Sequence, residues 1–103
     1  MKQYRQGDVF LEEVSEIPAN AVVQSRDSAR LVVELGQATG HAHAFYDASS
    51  ALLHAPSGER FLRIVEPTAL KHEEHAPIEL PPGSYRVRRQ REYHPEEIRT
   101  VVD

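Results

Sequence analysis

Four of the six histidines fall in two short stretches of the chain. His41 and His43 lie one residue apart in GQATGHAHAFYD, and His72 and His75 lie three apart in LKHEEHAP. Alternate side chains of an extended segment point to the same side, so the first pair presents both imidazoles on one face. The second pair has the spacing of neighbouring positions in one helical turn or a tight loop, which Pro77 prevents from continuing as a long helix.

A sheet that brought these two pairs together would create a metal site. The chain has no cysteine, so disulfides and thiolate sites are excluded and any metal must be held by nitrogen and oxygen atoms. Imidazole and carboxylate ligands suit Zn²⁺, Fe²⁺, Mn²⁺ or Ni²⁺. We predict a divalent metal cofactor, its identity left open, with these ligands: His41, His43, His72 and His75. Acidic neighbours could complete the site or orient its imidazoles. These neighbours are Glu73, Glu74 and Asp47, of which Glu73 and Glu74 are the predicted catalytic residues.

The elements that must position these residues are mostly short strands. Apolar and β-branched runs, bounded by Pro, Gly, Ser and Asn, predict strands. The runs are 7–14, 29–36, 51–55, 59–66, 76–80 and 83–93. Two segments predict a short helical turn, 46–53 with Asp47 as N-cap and 94–103 with Pro95 at its first position. The predicted fold is therefore all-β, a small barrel or sandwich with at most one or two helical turns.

Length and composition set the wider limits. A chain of 103 residues predicts one compact domain, 1–103. The formal net charge of −4 argues against a general affinity for nucleic acid. No run approaches the roughly 20 apolar residues that span a bilayer, and the N-terminus lacks a signal-peptide core, so we expect no membrane partner and a cytoplasmic location.

Two motifs of the chain, one with the His-x-His pair and one with a Pro-x-Gly turn, resemble the two motifs of cupins. GQATGHAHAFYD resembles the first cupin motif, a glycine before a His-x-His pair and an acidic ligand after it. The matching positions are Gly36, His41, His43 and Asp47. LPPGSYRV resembles the Pro-x-Gly turn of the second motif at Pro81 and Gly83, although the last cupin histidine, expected just after this turn, is missing. The resemblance implies a metal-holding, cupin-like β-barrel. Residues 72–99 also resemble a segment of small bacterial proteins with no assigned function.

An arginine-rich run, YRVRRQREY (85–93), adds a second candidate surface. Its residues that could contact a ligand or a subunit are Tyr85, Arg86, Arg88, Arg89, Arg91 and Tyr93. Because a strand here would carry arginine on both faces, we expect it at a sheet edge or protruding from the sheet. Arginine and tyrosine are enriched at protein interfaces, so a homo-oligomeric contact is the preferred interpretation. A solvated edge strand comes second and an RNA-binding surface third.

Three functional hypotheses follow, and the sequence leaves open whether the protein is an enzyme. The first is a small metal-dependent hydrolase or related enzyme that acts on a small substrate. The second is a non-enzymatic, homo-oligomeric binding or assembly module. The third is a metal-independent site in which histidine and arginine process RNA or a nucleotide. A plainer interpretation also exists, since His-x-His can be two strand residues bonded to carbonyls and HEEH a solvated loop.

Overall fold

The structure is a computed structural model that describes residues 2–26, 30–35 and 41–89. These residues form ten strands. In chain order they are β1 (Gln3–Gln6), β2 (Val9–Val14), β3 (Val22–Val23), β4 (Leu31–Leu35), β5 (Ala42–Phe45), β6 (Ala51–His54), β7 (Arg60–Ile64), β8 (Thr68–Leu70), β9 (Ile78–Leu80) and β10 (Gly83–Arg89).

Six strands form the largest sheet, in the order β1-β2-β10-β7-β6-β3, with antiparallel neighbours. The prediction that the arginine-rich strand lies at an edge or protrudes is wrong for Gly83–Arg89, because β10 lies between β2 and β7 in this sheet. Residues 90–93 of the predicted strand lie outside the described residues. Val87 of β10 pairs with Leu11 on one side and Arg60 on the other. The alternation of β10 explains this position, since its apolar residues Tyr85 and Val87 face the core.

Two smaller sheets cover the core, β4 with β5 and β8 with β9. They touch through an antiparallel bridge in which the backbones of Ala44 and Lys71 exchange hydrogen bonds of 3.0 and 2.9 Å. The bridge places the end of β8 beside β5. The main core cluster draws on all three sheets. Its members are Val9, Leu11, Leu31, Val33, Phe45, Leu52, Leu62, Ile64, Leu70, Leu80, Tyr85 and Val87.

The all-β prediction is confirmed, and none of the sheets in the described residues closes into a barrel. The predicted helical turn at 46–53 is wrong. There the Asp47 carboxylate accepts hydrogen bonds from the N–H groups of Ser49 and Ser50, which closes a tight turn, and strand β6 begins at Ala51. The other predicted turn, 94–103, lies outside the described residues. No helix that could cross a membrane occurs in the described part of the chain.

Candidate functional site

Strand β5 and the loop that follows β8 bring all four of the singled-out histidines together. The ring of His72 is central: its centroid lies 4.3 Å from that of His43, 4.6 Å from that of His75 and 5.6 Å from that of His41. Two features of the chain produce this arrangement. His41 directly precedes strand β5 and His43 lies on it, and the Ala44–Lys71 bridge holds the His72 loop against that strand.

The most buried of these side chains, His43, is held in one tautomer by Gln6. The Gln6 amide nitrogen donates to the carbonyls of Leu70 and Ala76 at 2.8 and 2.9 Å, so its oxygen is left to accept. That oxygen lies 2.8 Å from Nδ1 of His43. Nδ1 therefore carries the proton, and Nε2 keeps its lone pair.

The pKa of His43 is lowered to about 4 from its ordinary value of 6.5. Burial is the largest cause, because His43 is only 4% exposed, and the neighbouring His72 and His75 add repulsion. Asp8, whose Oδ1 lies 3.6 Å from Nε2, opposes the shift, as does Glu73. His43 is thus a neutral imidazole at physiological pH, which is the form that binds metals.

In the described residues, the donor atoms that lie closest together do not belong to the predicted set of four histidines. They belong to two of those histidines and one glutamate. Single donor atoms of His41, His72 and Glu73 all lie within 4.8 Å of one another. The Glu73 carboxylate accepts a hydrogen bond of 3.0 Å from the N–H of Ala42, which ties the loop to β5. This bond is the main reason why the pKa of Glu73 is lowered, and it favours a carboxylate anion.

Glu74 lies at the solvent side of the same loop. Its backbone N–H donates to Nδ1 of His72 at 3.0 Å, and its side chain, 65% exposed, places Oε2 3.6 Å from Nδ1 of His41. The two glutamates of the HEEH sequence therefore differ in their surroundings. Glu73 is fixed to the strand, whereas Glu74 reaches an imidazole from solvent.

The turn between β1 and β2 also contributes to the site, which the sequence did not predict. Besides Gln6 and Asp8 it brings Gly7, whose φ of +60° favours glycine. A Cβ at Gly7 would lie 2.7 Å from Nε2 of His75, so the glycine also makes room for that ring. The sequence Gln-Gly-Asp signals a turn, but nothing local shows that this turn packs on histidines many residues away.

A cleft of about 270 Å³ adjoins the group formed by His41, His72 and Glu73. Its walls are formed by five residues, Ala42, Tyr46, Lys71, His72 and Glu73. The Lys71 ammonium lies 5.8 Å from the centre of the Tyr46 ring, within the range of a cation–π contact. Two of the candidate ligands thus face a space that a small molecule could enter.

The family model described as Domain of unknown function (DUF8820) matches residues 5–90. The chain belongs to this family. The matched range of this DUF8820 chain contains the whole cluster, from Gln6 in β1 to His75. No curated protein and no solved structure gives a significant match.

Asp47, a candidate ligand at sequence level, has a structural role in this DUF8820 chain. Its Oδ2 accepts from the backbone and hydroxyl of Ser49 and from the backbone of Ser50. Its Oδ1 accepts from the hydroxyls of Ser50 and Thr68 at 2.6 and 3.0 Å. These bonds lower the pKa of Asp47 to about 2, although burial opposes them. Asp47 therefore holds the loop between β5 and β6 and is absent from the tight donor group.

The arginines of β10 form ion pairs within the chain. Arg86 Nη1 and Arg88 Nε lie 3.4 and 3.3 Å from Oε1 of Glu12 on the neighbouring strand. Arg89 Nη1 lies 3.3 Å from Oε2 of Glu34 on β4. These contacts explain how a strand with charges on both faces is accommodated inside a sheet.

The prediction that Tyr85 contacts a ligand or a subunit is wrong. Tyr85 is 1% exposed and packs in the core, where its hydroxyl donates to the carbonyl of Pro81 at 2.7 Å. The same burial raises its pKa to about 12. Arg91 and Tyr93 lie outside the described residues.

Proposed function

We propose that this DUF8820 chain binds a divalent transition metal at the histidine cluster. The observation that carries the proposal is the set of donor atoms on His41, His72 and Glu73, all within 4.8 Å of one another. Two further imidazoles, those of His43 and His75, lie within 4.3 to 6.1 Å of a neighbouring cluster ring, measured between centroids. Nitrogen donors with one carboxylate and no thiolate suit Zn²⁺, Fe²⁺, Mn²⁺ or Ni²⁺.

The surroundings of the cluster fit such an ion. Gln6 holds His43 with Nε2 as the acceptor, in the way that hydrogen-bonded partners commonly orient metal-binding histidines. Glu73 is kept anionic by the Ala42 N–H. A metal at Nδ1 of His72 would displace the hydrogen bond from the Glu74 N–H, which lies in an exposed loop where water can replace the lost acceptor.

We infer a hydrolytic or related reaction on a small substrate. A divalent ion would supply a Lewis acid at this site. Glu74 is placed to carry a proton, because its carboxylate is exposed and 3.6 Å from His41. Glu73 is held against β5 and suits a ligand role better than proton transfer.

We further propose that the fold is a reduced relative of the cupin arrangement. The His-x-His pair stands at the start of β5, and the Pro-x-Gly turn joins β9 to β10, as the motif resemblance implies. The loop with His72 and His75 would replace the histidine that cupins carry after that turn. A crystal structure of the zinc-bound protein tests this inference, and a ligand set without His72 and His75 would reject it.

Zinc titration of the untagged protein tests the metal proposal. We expect calorimetry to find one Zn²⁺ per chain, and elemental analysis of the purified protein to find a divalent metal. His72→Ala should weaken zinc binding at least tenfold. His54→Ala is the matched control, because His54 lies on β6 and bonds to Gln24, away from the cluster. Absence of zinc binding, or equal loss in both variants, would reject the proposal.

A non-enzymatic assembly role is the second candidate. Strand β3 ends the six-stranded sheet, and its residues Val22 and Val23 are 68% and 55% exposed. An exposed apolar edge strand can pair with a second copy, which supports the expected homo-oligomer. Light scattering on wild type and Val22→Lys would test it, and a monodisperse wild-type monomer would reject it.

RNA processing ranks lower, because Arg86, Arg88 and Arg89 pair with glutamates of the chain.

A further inference from the structure

We infer that the cleft beside the cluster binds the oxyanion group, carboxylate or phosphate, of a small substrate, with Lys71 as its anchor. This inference rests on the proposed function, because the cleft shares His72 and Glu73 with the proposed metal site. It adds the chemical class of the substrate and the residue that selects it.

One wall of the cleft is formed by the small side chain of Ala42 on β5 and by Tyr46, the residue that follows the strand. The methyl group of Ala42 occupies little of the space between Tyr46 and the His72 loop. Ala42 and the Tyr46 ring give the lining an apolar part, and Lys71, His72 and Glu73 give it a polar and charged part.

Lys71 is positioned by the fold and has no ionic partner in the described residues. Its backbone is fixed by the bridge to Ala44, and its ammonium lies over the Tyr46 ring. No carboxylate of the described chain forms an ion pair with it, in contrast to Arg86, which contacts both Glu12 and Glu59. Glu73, an anion on the same wall, is also a proposed ligand, and a bound metal would neutralise it. With the metal in place, the cation of Lys71 favours an anion inside the cleft.

The size of the cleft limits the substrate. A volume of about 270 Å³ lies just below the usual range of ligand sites, about 300–1,000 Å³. At about 30 Å³ for each water-sized group, it holds on the order of ten non-hydrogen atoms. An oxyanion at Lys71 would leave the rest of such a molecule beside His72 and Glu73, where the proposed reaction takes place.

Calorimetric titration with benzoate and phenyl phosphate tests the inference, with benzamide as the uncharged analogue of benzoate. We expect zinc-loaded wild type to bind at least one of the two anions and to bind benzamide at least fivefold more weakly than benzoate. Lys71→Met should weaken anion binding at least fivefold and leave zinc affinity within twofold. Lys2→Met is the matched control, because it removes the same charge from an exposed residue of the N-terminus.

The outcomes separate this inference from the proposed metal site. Zinc binding with anion affinity unchanged by Lys71→Met, or lowered equally by Lys2→Met, would overturn the inference and leave the metal site standing. If the protein binds no zinc but the metal-free chain binds an anion in a Lys71-dependent manner, the anion site is supported and the metal proposal rejected. Binding of neither zinc nor anion would overturn both. A preference for phenyl phosphate over benzoate, or the reverse, would identify which oxyanion the cleft accepts.

Discussion

The side-chain oxygen of Gln6 lies 2.8 Å from Nδ1 of His43, and Gln6 itself is 3% exposed. This one amide joins three parts of the molecule, since its nitrogen also bonds to the carbonyls of Leu70 and Ala76. It therefore holds the loop that carries His72 and His75 against the first hairpin. The same contact decides which nitrogen of His43 can act as an acceptor.

Replacing Gln6 by Leu should destabilise the protein and weaken zinc binding. The variant leaves two carbonyls and the His43 N–H without their partner, so we expect a loss of about 2–4 kcal/mol in the free energy of unfolding. Urea denaturation measures this loss. Gln3→Leu, on the same strand but exposed, is the control and should change stability by less than about 0.5 kcal/mol. Equal effects at both positions would contradict the role assigned to Gln6.

The metal-free protein should lose stability as the pH falls from about 6.5 to 4. The unfolded chain protonates His43 near 6.5, whereas the folded chain does so only near 4, so the unfolded state binds more protons in this range. The stability contributed by His43 is therefore complete above pH 6.5 and lost as the pH falls toward 4. Its size is at most about 3.5 kcal/mol, since the pKa falls from 6.5 to about 4 and one pKa unit corresponds to about 1.4 kcal/mol.

Denaturation curves in EDTA at several pH values measure this dependence. His43→Gln should flatten the change between pH 6.5 and 4, and His54→Gln should leave it as in wild type. The groups that set the pKa of His43 are the imidazoles of His72 and His75 and the carboxylates of Asp8 and Glu73. A slope that persists in His43→Gln would contradict the role assigned to His43.

Local patterns predicted much of the fold because core strands carry a clear alternation. The runs 7–14 and 59–66 contain β2 and β7, and the run from 83 begins with β10. Strand β1, Gln3–Gln6, was not predicted, because an edge strand in contact with solvent can be polar over most of its length. The predicted edge position of β10 was wrong for a different reason. The partners of its arginines are glutamates on other strands, and a local window does not contain them.

The candidate site was found from spacing only in part. His-x-His and His-x-x-His marked four residues that the structure places together. The sequence offered Glu73 only as one of three acidic residues that could complete the site. It did not indicate that Glu73, held by the Ala42 N–H, rather than Glu74 or Asp47, joins the close donor group. Gln6 and Gly7 were missed because their importance arises from contacts with residues dozens of positions away. Such contacts depend on topology, which strand patterns alone do not determine.

Gly7→Ala should displace the His75 ring, and Gly58→Ala should not. Both glycines have a positive φ, +60° and +95°, so alanine strains the backbone at each position by about 1–2 kcal/mol. Only at Gly7 does the new Cβ meet a cluster residue, 2.7 Å from Nε2 of His75, whereas nothing lies within 4 Å at Gly58. Imidazole NMR shifts should therefore move in Gly7→Ala alone. Similar His75 spectra in both variants would show that the ring does not rest on Gly7.

Asp47→Asn should lower the stability of the fold and leave zinc binding unchanged, as expected of a structural carboxylate that is not a metal ligand. The five hydrogen bonds that the Asp47 carboxylate accepts from Ser49, Ser50 and Thr68 depend on two acceptor oxygens, and an amide supplies only one. We expect the free energy of unfolding to fall by about 2 kcal/mol at pH 7. Zinc affinity measured by calorimetry should stay within twofold of wild type, because Asp47 lies outside the tight donor group.

The acid limb of the stability curve provides a second readout for Asp47. With a folded pKa of about 2 and an ordinary value of 3.8, the carboxylate stabilises the fold above pH 3.8, and this stabilisation is lost as the pH falls toward 2. Asp47→Asn should remove that part of the acid dependence, while Glu66→Gln, at an exposed position, should retain it. A large loss of zinc affinity in Asp47→Asn, with stability unchanged, would instead make Asp47 a ligand, as its match to the first cupin motif implies.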